Sequence, residues 1–287
     1  MDMQDNITMV ECPRDAMQGW KHFIHTEQKV TYLNALLRVG FDVLDFGSFV
    51  SAKAIPQMAD TKEVLPQLKL DNTNTRLLAI IANTRGAEEA VAYEQISYLG
   101  FPFSISETFQ LRNTNKTIAE SLKQVEEIQQ LCVKNNKELV VYISMGFGNP
   151  YGDPYDAEVA INWVGKLAAL GVKTIAMSDT VGVATPDNIK YIFKHLIPEF
   201  NDVAIGAHFH STPDAWREKI QAAWDSGCRR FDSAMRGIGG CPMAKDDLVG
   251  NIATEHMVDF CNENNIPLKL QRDNFLEAWH MAGTLFV

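Results

Sequence analysis

Two histidines separated by one residue, His208 and His210, close the apolar run Val203–Ala207. Side chains alternate between the two faces of a β-strand, so both imidazoles would point the same way at a strand's end. Two imidazoles on one face can bind one metal ion. An HxH pair is equally typical of ordinary polar residues that leave a strand, so the metal site is a hypothesis that other residues must support.

Asp15 and Asn251 could complete such a site with a carboxylate and an amide oxygen. A mixed set of oxygen and nitrogen ligands leaves coordination positions open, as in catalytic Mg²⁺ or Mn²⁺ sites, and Zn²⁺ is compatible with it. Both residues also have an ordinary interpretation. Asp15 follows Pro13 and could cap a helix or turn, and Asn251 could be the N-cap of a helix that begins at Ile252.

Arg14 and Cys241 offer acid–base and charge chemistry near those ligands. Arg14 is a permanent cation with a fixed fork of donors, which could hold a carboxylate or stabilise an enolate, or could form a plain salt bridge. Cys241 lies in a Gly-Gly-Cys-Pro segment whose glycines permit tight turns. A thiol beside a cation can act as an acid or base, whereas the ordinary alternative is an inert, half-buried thiol.

Short apolar runs alternate along the chain with longer amphipathic runs, which predicts parallel strands in βαβ units. The predicted strands are Ile7–Glu11, Asp42–Phe46, Leu77–Ala82, Phe101–Ile105, Leu139–Ser144, Thr174–Ser178, Val203–His208 and Arg230–Ser233. The predicted helices between them include Gln28–Arg38, Thr117–Asn135, Asp156–Leu170, Pro186–Leu196 and Asp214–Ser226, and glycines 40, 100, 171 and 227 are expected to close helices.

Eight such units favour an α/β fold of the closed (β/α)8 TIM-barrel type. The alternative, a doubly wound sheet, usually carries a glycine-rich phosphate loop, and none follows the first strand. We expect one catalytic domain over residues 1–287, with the barrel at about 5–240 and a loop and appended C-terminal helices at 241–287.

Catalytic groups of such barrels gather at the C-terminal ends of the strands. Asp45, Asn83, Ser144 and Asp179 all fall at predicted strand ends, as do the histidine pair and Arg14 with Asp15. Asp45 and Asp179 are candidate catalytic carboxylates. The candidate substrate contacts are Gln18, Asn83, Ser144 and Thr180.

Composition excludes several classes of protein. A net charge of −10 argues against wholesale nucleic-acid binding. No apolar run approaches the roughly 20 residues of a membrane span, and the N-terminus lacks the pattern of a secretory signal. The five cysteines are widely spaced without a CxxC, which favours a reducing cytoplasm.

Several segments together resemble the hydroxymethylglutaryl-CoA lyase family. Val10–Gln18 resembles "GPRDGLQ", and Ser48–Met58 resembles "SFVSPKxxPQM". Ser178–Pro186 is similar to "GDTIGVGTP", His208–His210 to "HCH", and Gly237–Pro242 with Gly250–Glu255 to "GLGGCP…GNLATED". The order is the same over nearly the whole chain. The wider superfamily of DRE-TIM metallolyases also holds Claisen-condensing synthases, and the GGCP segment favours the lyase branch.

The resemblance implies a TIM barrel, a divalent cation and cleavage of 3-hydroxy-3-methylglutaryl-CoA to acetyl-CoA and acetoacetate, as in leucine degradation. It implies Asp15, His208, His210 and Asn251 as metal ligands and an acyl-CoA as the substrate. Arg14 would stabilise the enolate, Cys241 would be the catalytic thiol on a mobile loop, and Asp179 would lie near the substrate hydroxyl. Family members are often dimeric, which makes a homodimer an expectation.

The chain departs from the family pattern at several positions. Asp45 replaces a glutamate, Ser211 an aspartate, and Ser178 and Ala16 replace glycines, and the spacing from Cys241 to Asn251 is longer. These changes leave two alternatives open. One is a Claisen or aldol-type synthase or aldolase acting on a 2-oxo acid. The other is a non-catalytic acyl-CoA-binding descendant, against which the retention of every candidate ligand argues.

Overall fold

The computed structural model describes residues 6–240 and 249–287. The strands are Thr8–Glu11 (β1), Val43–Ser48 (β2), Arg76–Ile80 (β3), Ile96–Ser104 (β4), Glu138–Ser144 (β5), Thr174–Asp179 (β6), Ala204–Ser211 (β7), Arg230–Ser233 (β8) and Gly250–Asn251 (β9). The helices are Pro13–Gln18 (α1), Thr26–Val39 (α2), Thr61–Val64 (α3), Thr84–Val91 (α4), Glu107–Thr114 (α5), Ile118–Lys134 (α6), Ala157–Ala169 (α7), Pro186–Glu199 (α8), Trp216–Asp225 (α9), Thr254–Glu263 (α10) and Arg272–Leu285 (α11).

Strands β1 to β8 form a closed parallel barrel. Each strand pairs with the next in sequence, and β8 pairs with β1, so the sheet has no free edge within the barrel. The helices surround it, which confirms the predicted (β/α)8 fold. The short strand β9 adds to β7 in antiparallel register, with Asn251 opposite His210.

The strands are buried on both faces, as expected where helices cover a parallel sheet. All six residues of β2 are buried, although the strand includes Asp45 and Ser48.

Several helices begin with a side-chain cap that the sequence encodes. The hydroxyl of Thr117 accepts a hydrogen bond from the Glu120 amide while the Glu120 carboxylate accepts one from the Thr117 amide, an arrangement that stabilises a helix by about 1 kcal/mol.

Strand β4 differs from the prediction. It begins at Ile96, five residues before the predicted start, and therefore contains Gly100, which we expected to close a helix. A β-carbon at Gly100 would lie 2.5 Å from Ile80 Cδ1, so this glycine gives space to side chains inside the barrel. The other three glycines of that prediction do adopt positive φ, as helix-closing glycines do.

Helices α4 and α5 are absent from the prediction. Helix α4 packs through two small residues, Ala87 and Ala90, which gave no periodic pattern of large apolar side chains.

Strand β7 continues to Ser211, three residues past its predicted end. His208 and His210 therefore lie within the strand, where their shared face is set by sheet hydrogen bonds.

Helices α10 and α11 follow the barrel. Helix α11 packs on α2, and the amide of Gln271 donates to the carbonyl of Val39 at 2.8 Å. Phe286 contacts Trp20 edge to face, with ring centroids 5.3 Å apart. These contacts pack α11 and Phe286 against α2 and the segment that follows α1, and the single domain stays a prediction.

Candidate active site

A cavity of about 490 Å³ opens at the C-terminal ends of the barrel strands. Its lining brings together many of the residues singled out from the sequence, although they come from distant parts of the chain. Those residues are Arg14, Asp15, Gln18, Asp45, Ser144, Thr180, His208 and His210. Apolar side chains, among them Ile55 and Phe109, make up much of the remaining wall.

Asp15, His208 and His210 form a potential metal site at the base of this cavity. One ligand atom from each lies within 4.8 Å of the others, so a single ion could contact all three. Asp15 reaches this position because α1 begins directly after β1 and carries it in its first turn. The donor set of one carboxylate oxygen and two imidazole nitrogens suits a divalent cation and leaves further positions for a ligand.

The orientation of His210 fits a metal ligand. Its Nδ1 lies 2.9 Å from the carbonyl of Thr180, which can only accept, so Nδ1 carries the proton and Nε2 has the lone pair. Among the residues that the structure describes, Nε2 is buried with no hydrogen-bond partner. Burial lowers the pKa of His210 to about 4, and a charge on His208 contributes to the same shift, so the imidazole is neutral at physiological pH, as metal binding requires.

The imidazole of His208 contacts the carboxylate of Asp232. Its Nδ1 lies 3.2 Å from Oδ2 of Asp232 in β8, which leaves Nε2 for a ligand in the pattern common to metal-binding histidines. Burial by itself would lower the pKa of His208, but the hydrogen bond and the charge of Asp232 outweigh it and raise the pKa. Bound metal would therefore compete with a proton at this site.

A second group of possible ligands consists of Cys12 with His208 and Asp232. It is the weaker candidate for two reasons. Burial and the surrounding carboxylates raise the pKa of the Cys12 thiol, so it stays protonated. Asp232 also accepts a hydrogen bond from Arg230 at 2.7 Å, which occupies its other oxygen.

Arg14 is held rigidly beside the metal site. Its Nε and Nη2 donate to Asp45, and its Nη1 donates to Asp15 at 3.0 Å and to Gln18 at 2.8 Å. These bonds to described residues use four of the five guanidinium N–H groups, and one donor is not bonded within that part of the chain. The packed arginine can therefore offer a hydrogen bond to a charge that develops in the cavity without reorganising.

The two carboxylates bound to Arg14 differ in their titration. Burial alone would raise the pKa of Asp15, but Arg14, the two histidines and Asn251 together lower it, so Asp15 is an anion. Asp45 is more deeply buried, and burial raises its pKa to about 6 although Arg14 opposes the shift. Asp15 is thus the better candidate for a metal ligand, and Asp45 binds the arginine.

Asn251 contacts the metal site from β9. Its Nδ2 donates to Oδ2 of Asp15 at 2.7 Å and to the carbonyl of Ile238 at 3.0 Å. It is not the N-cap of the following helix, because α10 begins at Thr254 with Ala253 before it. Gly239 packs beside it with a φ of +109°, and a β-carbon there would lie 2.4 Å from Asn251 Nδ2.

Three predicted residues within the described chain, Asn83, Asp179 and Asn251, do not line the cavity. Asn251 binds Asp15, which does line it, whereas the other two side chains bind elsewhere. The side chain of Asn83 accepts from the amide of Gly86 and caps α4. The carboxylate of Asp179 pairs with Lys219 at 2.7 Å and accepts from the amide of Ala184. Cys241 lies outside the described residues.

The sequence analysis did not identify Asp232 or Lys219. Asp232 contacts the imidazole of His208, and Lys219 donates to the backbone carbonyl of His210. Arg230 and Asp232 alternate in a four-residue strand, and charged residues in a buried strand were the signal that could have found Asp232. Lys219 gave no signal, because a lysine on an amphipathic helix is normally exposed.

A (β/α)8 barrel whose C-terminal rim holds a cavity lined by Arg14, two carboxylates and two imidazoles is typical of barrel enzymes. The HMGL-like family matches residues 7–281, and the chain belongs to that family. It is accordingly a carbon–carbon lyase with a reaction of the HMG-CoA lyase type.

Individual relatives agree with this assignment. The chain is 31% identical over 266 residues to a hydroxymethylglutaryl-CoA lyase of Bacillus subtilis, covering 93% of this chain and 88% of the relative. It is 29% identical over 283 residues to an (R)-citramalyl-CoA lyase of Chloroflexus aurantiacus, covering 95% and 88%. A solved HMG-CoA lyase of Acinetobacter baumannii, in complex with coenzyme A and 3-methylmalate, superposes with a TM-score of 0.91 at 30% identity over 100% of this chain and 93% of that one.

No helix in residues 6–240 or 249–287 combines the length and apolar character needed to cross a membrane.

Proposed function

We propose that the protein is a divalent-metal-dependent lyase that cleaves 3-hydroxy-3-methylglutaryl-CoA, or a close 3-hydroxyacyl-CoA, to acetyl-CoA and a keto acid. The observation that carries the proposal is the meeting of Asp15, His208 and His210 beside Arg14, with Nε2 of His210 buried and bonded to no group of the described chain. A buried polar atom without a partner is rare in native proteins, which supports a bound ligand at this position.

The proposed reaction breaks the bond between C2 and C3 of the acyl chain. A base takes the proton from the C3 hydroxyl, and the electron pair of that O–H bond becomes the new carbonyl. The electrons of the broken C–C bond pass to the acetyl thioester as an enolate, and a proton delivered to C2 completes acetyl-CoA. When bound, a divalent cation such as Mg²⁺ or Mn²⁺ would polarise the substrate oxygens.

The roles of the protein groups follow from their positions. Asp15, His208 and His210 would hold the cation, and Asn251 would orient Asp15 or add a fourth ligand. Arg14 would donate its remaining N–H to the enolate oxygen, with Asp45 holding its guanidinium in place. Gln18, Ser144 and Thr180 line the cavity and are proposed substrate contacts.

Cys241 is the proposed proton donor to C2, on the resemblance of its GGCP segment alone. We expect C241A to lose at least about 100-fold in turnover, the size of a general acid–base contribution, while it binds Mn²⁺ like the wild type. Turnover that survives in C241A would remove the thiol from the mechanism.

A second acyl group is favoured by one observation. The hydroxyl of Ser178, where the family pattern has glycine, is buried in the cavity lining and has no hydrogen-bond partner within residues 6–240 and 249–287. It could bind a carboxylate on C3, as in citramalyl-CoA, and cleavage would then yield a 2-oxo acid instead of acetoacetate. A relative of similar identity is a lyase of that substrate.

The test is a product analysis with both acyl-CoA substrates, with Mg²⁺ or Mn²⁺ and with and without a chelator. We expect acetyl-CoA with acetoacetate from one substrate, or with pyruvate from the other, and loss of both products with the chelator. Net consumption of acetyl-CoA with release of free CoA would instead show a synthase. Cleavage that continues at full rate in the chelator would reject metal dependence.

We further propose a reducing, cytoplasmic location. The four cysteines within the described residues, Cys12, Cys132, Cys228 and Cys261, are all free and buried. Proteins of oxidising compartments commonly use their cysteines in disulfides, so this state supports the proposal.

A further inference from the structure

Lys219 on α9 is a buried lysine with no part in the reaction proposed above. Its side chain is 3% exposed, and its Nζ donates to Oδ2 of Asp179 at 2.7 Å and to the carbonyls of Gly182 and His210 at 3.0 Å each. An ammonium group has three N–H bonds, so all its donors are used. Neither Lys219 nor Asp179 lines the cavity.

A buried ion pair of this kind needs a reason other than stability. Removing two charges from water is costly, and an apolar pair of similar volume is often as stable or more so. What the pair provides is a fixed arrangement, because its acceptors come from two neighbouring segments. Asp179 ends β6, Gly182 lies in the loop that follows, and His210 lies in β7.

The loop held by Lys219 contains the group that sets the proton on His210. Thr180 lies between Asp179 and Gly182, and its carbonyl accepts from Nδ1 of His210 at 2.9 Å. The same loop is fixed on its other side, where the Thr180 hydroxyl accepts from the amide of Met145 at 2.9 Å. Lys219 thus binds the residues on either side of Thr180 and also the backbone of His210, so it fixes the donor and the acceptor of the Thr180–His210 hydrogen bond relative to each other.

We propose that Lys219 is a positioning residue for the metal site. It clamps the β6 loop to β7 and so keeps His210 in the tautomer that presents Nε2 toward Asp15 and His208. In this assignment Asp179 is the counter-ion of the clamp. The inference rests on the proposed function insofar as it takes His210 as a metal ligand.

The chain offers a matched control in the pair of Lys29 and Asp60. Lys29 is 2% exposed, lies 2.6 Å from Asp60, and also joins a helix, α2, to a neighbouring loop. Its second bond is to the carbonyl of Gln57, and none of the three residues lines the cavity. K29M therefore removes an equally buried ion pair from a clamp that holds no candidate metal ligand.

The experiment compares K219M and K29M in three measurements on the folded protein. Urea unfolding should show a lowered midpoint for both. Titration with Mn²⁺ should show an affinity about 10- to 100-fold lower for K219M, as for loss of a group that supports a ligand. K29M should stay within about twofold of the wild type. ¹⁵N NMR of the metal-free proteins should show the Nδ1–H tautomer of His210 in the wild type and K29M, and a mixture in K219M.

Equal Mn²⁺ affinity in K219M and K29M, with an unchanged His210 tautomer, would overturn the proposal. If the wild type binds no Mn²⁺, the metal part of the proposed function fails, and the tautomer comparison still decides whether Lys219 is a clamp. If K219M does not fold, the double variants K219M/D179N and K29M/D60N replace the single ones, because they leave no unpaired carboxylate buried. The same differences are then expected, and their absence rejects the clamp.

Discussion

Both mouths of the barrel contain polar side chains, but these side chains differ in whether they have partners within the protein. The N-terminal mouth encloses about 440 Å³ lined by Arg76, Tyr98, Glu138, Thr174 and Arg230 among others. There the guanidinium of Arg76 lies 4.4 Å from the ring centroid of Tyr98, Thr174 donates to Glu138, and Arg230 pairs with Asp232. At the C-terminal mouth, His210 Nε2 and Ser178 Oγ are buried without partners in the described part of the chain.

The comparison separates polar groups that stabilise the fold from polar groups that are available to bind a ligand. Groups that satisfy one another inside the protein cost little and leave nothing for a ligand, whereas an unpartnered buried atom costs free energy until something binds it. Asp232 connects the two mouths, because one of its oxygens accepts from Arg230 and the other contacts His208. The N-terminal mouth thus serves as an internal control for substitutions at the rim.

The largest effect is expected from removing a metal ligand at the C-terminal mouth. H210A and D15A should each lose Mn²⁺ affinity by more than the roughly 100-fold typical of a supporting residue, and lyase activity should fall with it. Calorimetric titration and product assays measure both. Stoichiometric Mn²⁺ binding that persists in both variants would break the contrast between the mouths.

Arg14 and Arg76 offer the sharpest pairwise comparison of the two mouths. R14M should lower kcat by about 100- to 1,000-fold, because it removes a preorganised donor to the enolate. R76M should leave kcat within about twofold, since a distant site should not couple to the chemistry. Steady-state kinetics at saturating metal gives both values, and equal losses in the two variants would contradict the assignment of Arg14.

Asp232 should show an intermediate effect, because it supports a ligand without being one. D232N weakens the hydrogen bond that orients His208 and is expected to lower Mn²⁺ affinity by about 10- to 100-fold. Excess Mn²⁺ should restore most of the turnover, unlike in R14M. Failure of added metal to restore activity would place Asp232 in the chemistry itself.

Glu11 should have the smallest effect on activity and a clear one on stability. Burial raises the pKa of Glu11 to about 8, so the folded protein binds a proton that the unfolded chain releases at about pH 4.5. Between those values the unfolded state binds fewer protons, and stability therefore falls as pH rises, by up to about 3 kcal/mol from pH 5 to 8.

Substitution E11Q should flatten that dependence. The glutamine carbonyl can still accept from the Met235 amide, and its amide can donate to the Thr254 hydroxyl, so the local hydrogen bonds survive. Urea unfolding of both proteins at pH 5 and pH 8 tests this, with turnover as the control. The same pH dependence in the wild type and E11Q would show that the Glu11 carboxyl titrates near its ordinary pKa.

Much of the site was predictable because a parallel barrel places the C-terminal ends of all its strands at one mouth. Once eight strand and helix units were recognised, Arg14, Asp45 and the histidine pair had to meet there, whatever their separation in sequence. Asn83 and Asp179 stand at similar strand ends, yet one caps a helix and the other pairs with Lys219. Position along a strand does not determine which neighbour a side chain binds.

The amino-acid sequence by itself determined the barrel, the family and the residues that reach the rim, because hydrophobic periodicity and local motifs are properties of contiguous segments. The tertiary structure alone decided that Asp232 and the Thr180 carbonyl hold the two imidazoles, that Arg14 keeps one donor, and that Lys219 is buried. Those outcomes depend on hydrogen-bond geometry between segments that only packing brings together. Patterns within one short segment of sequence do not determine that geometry.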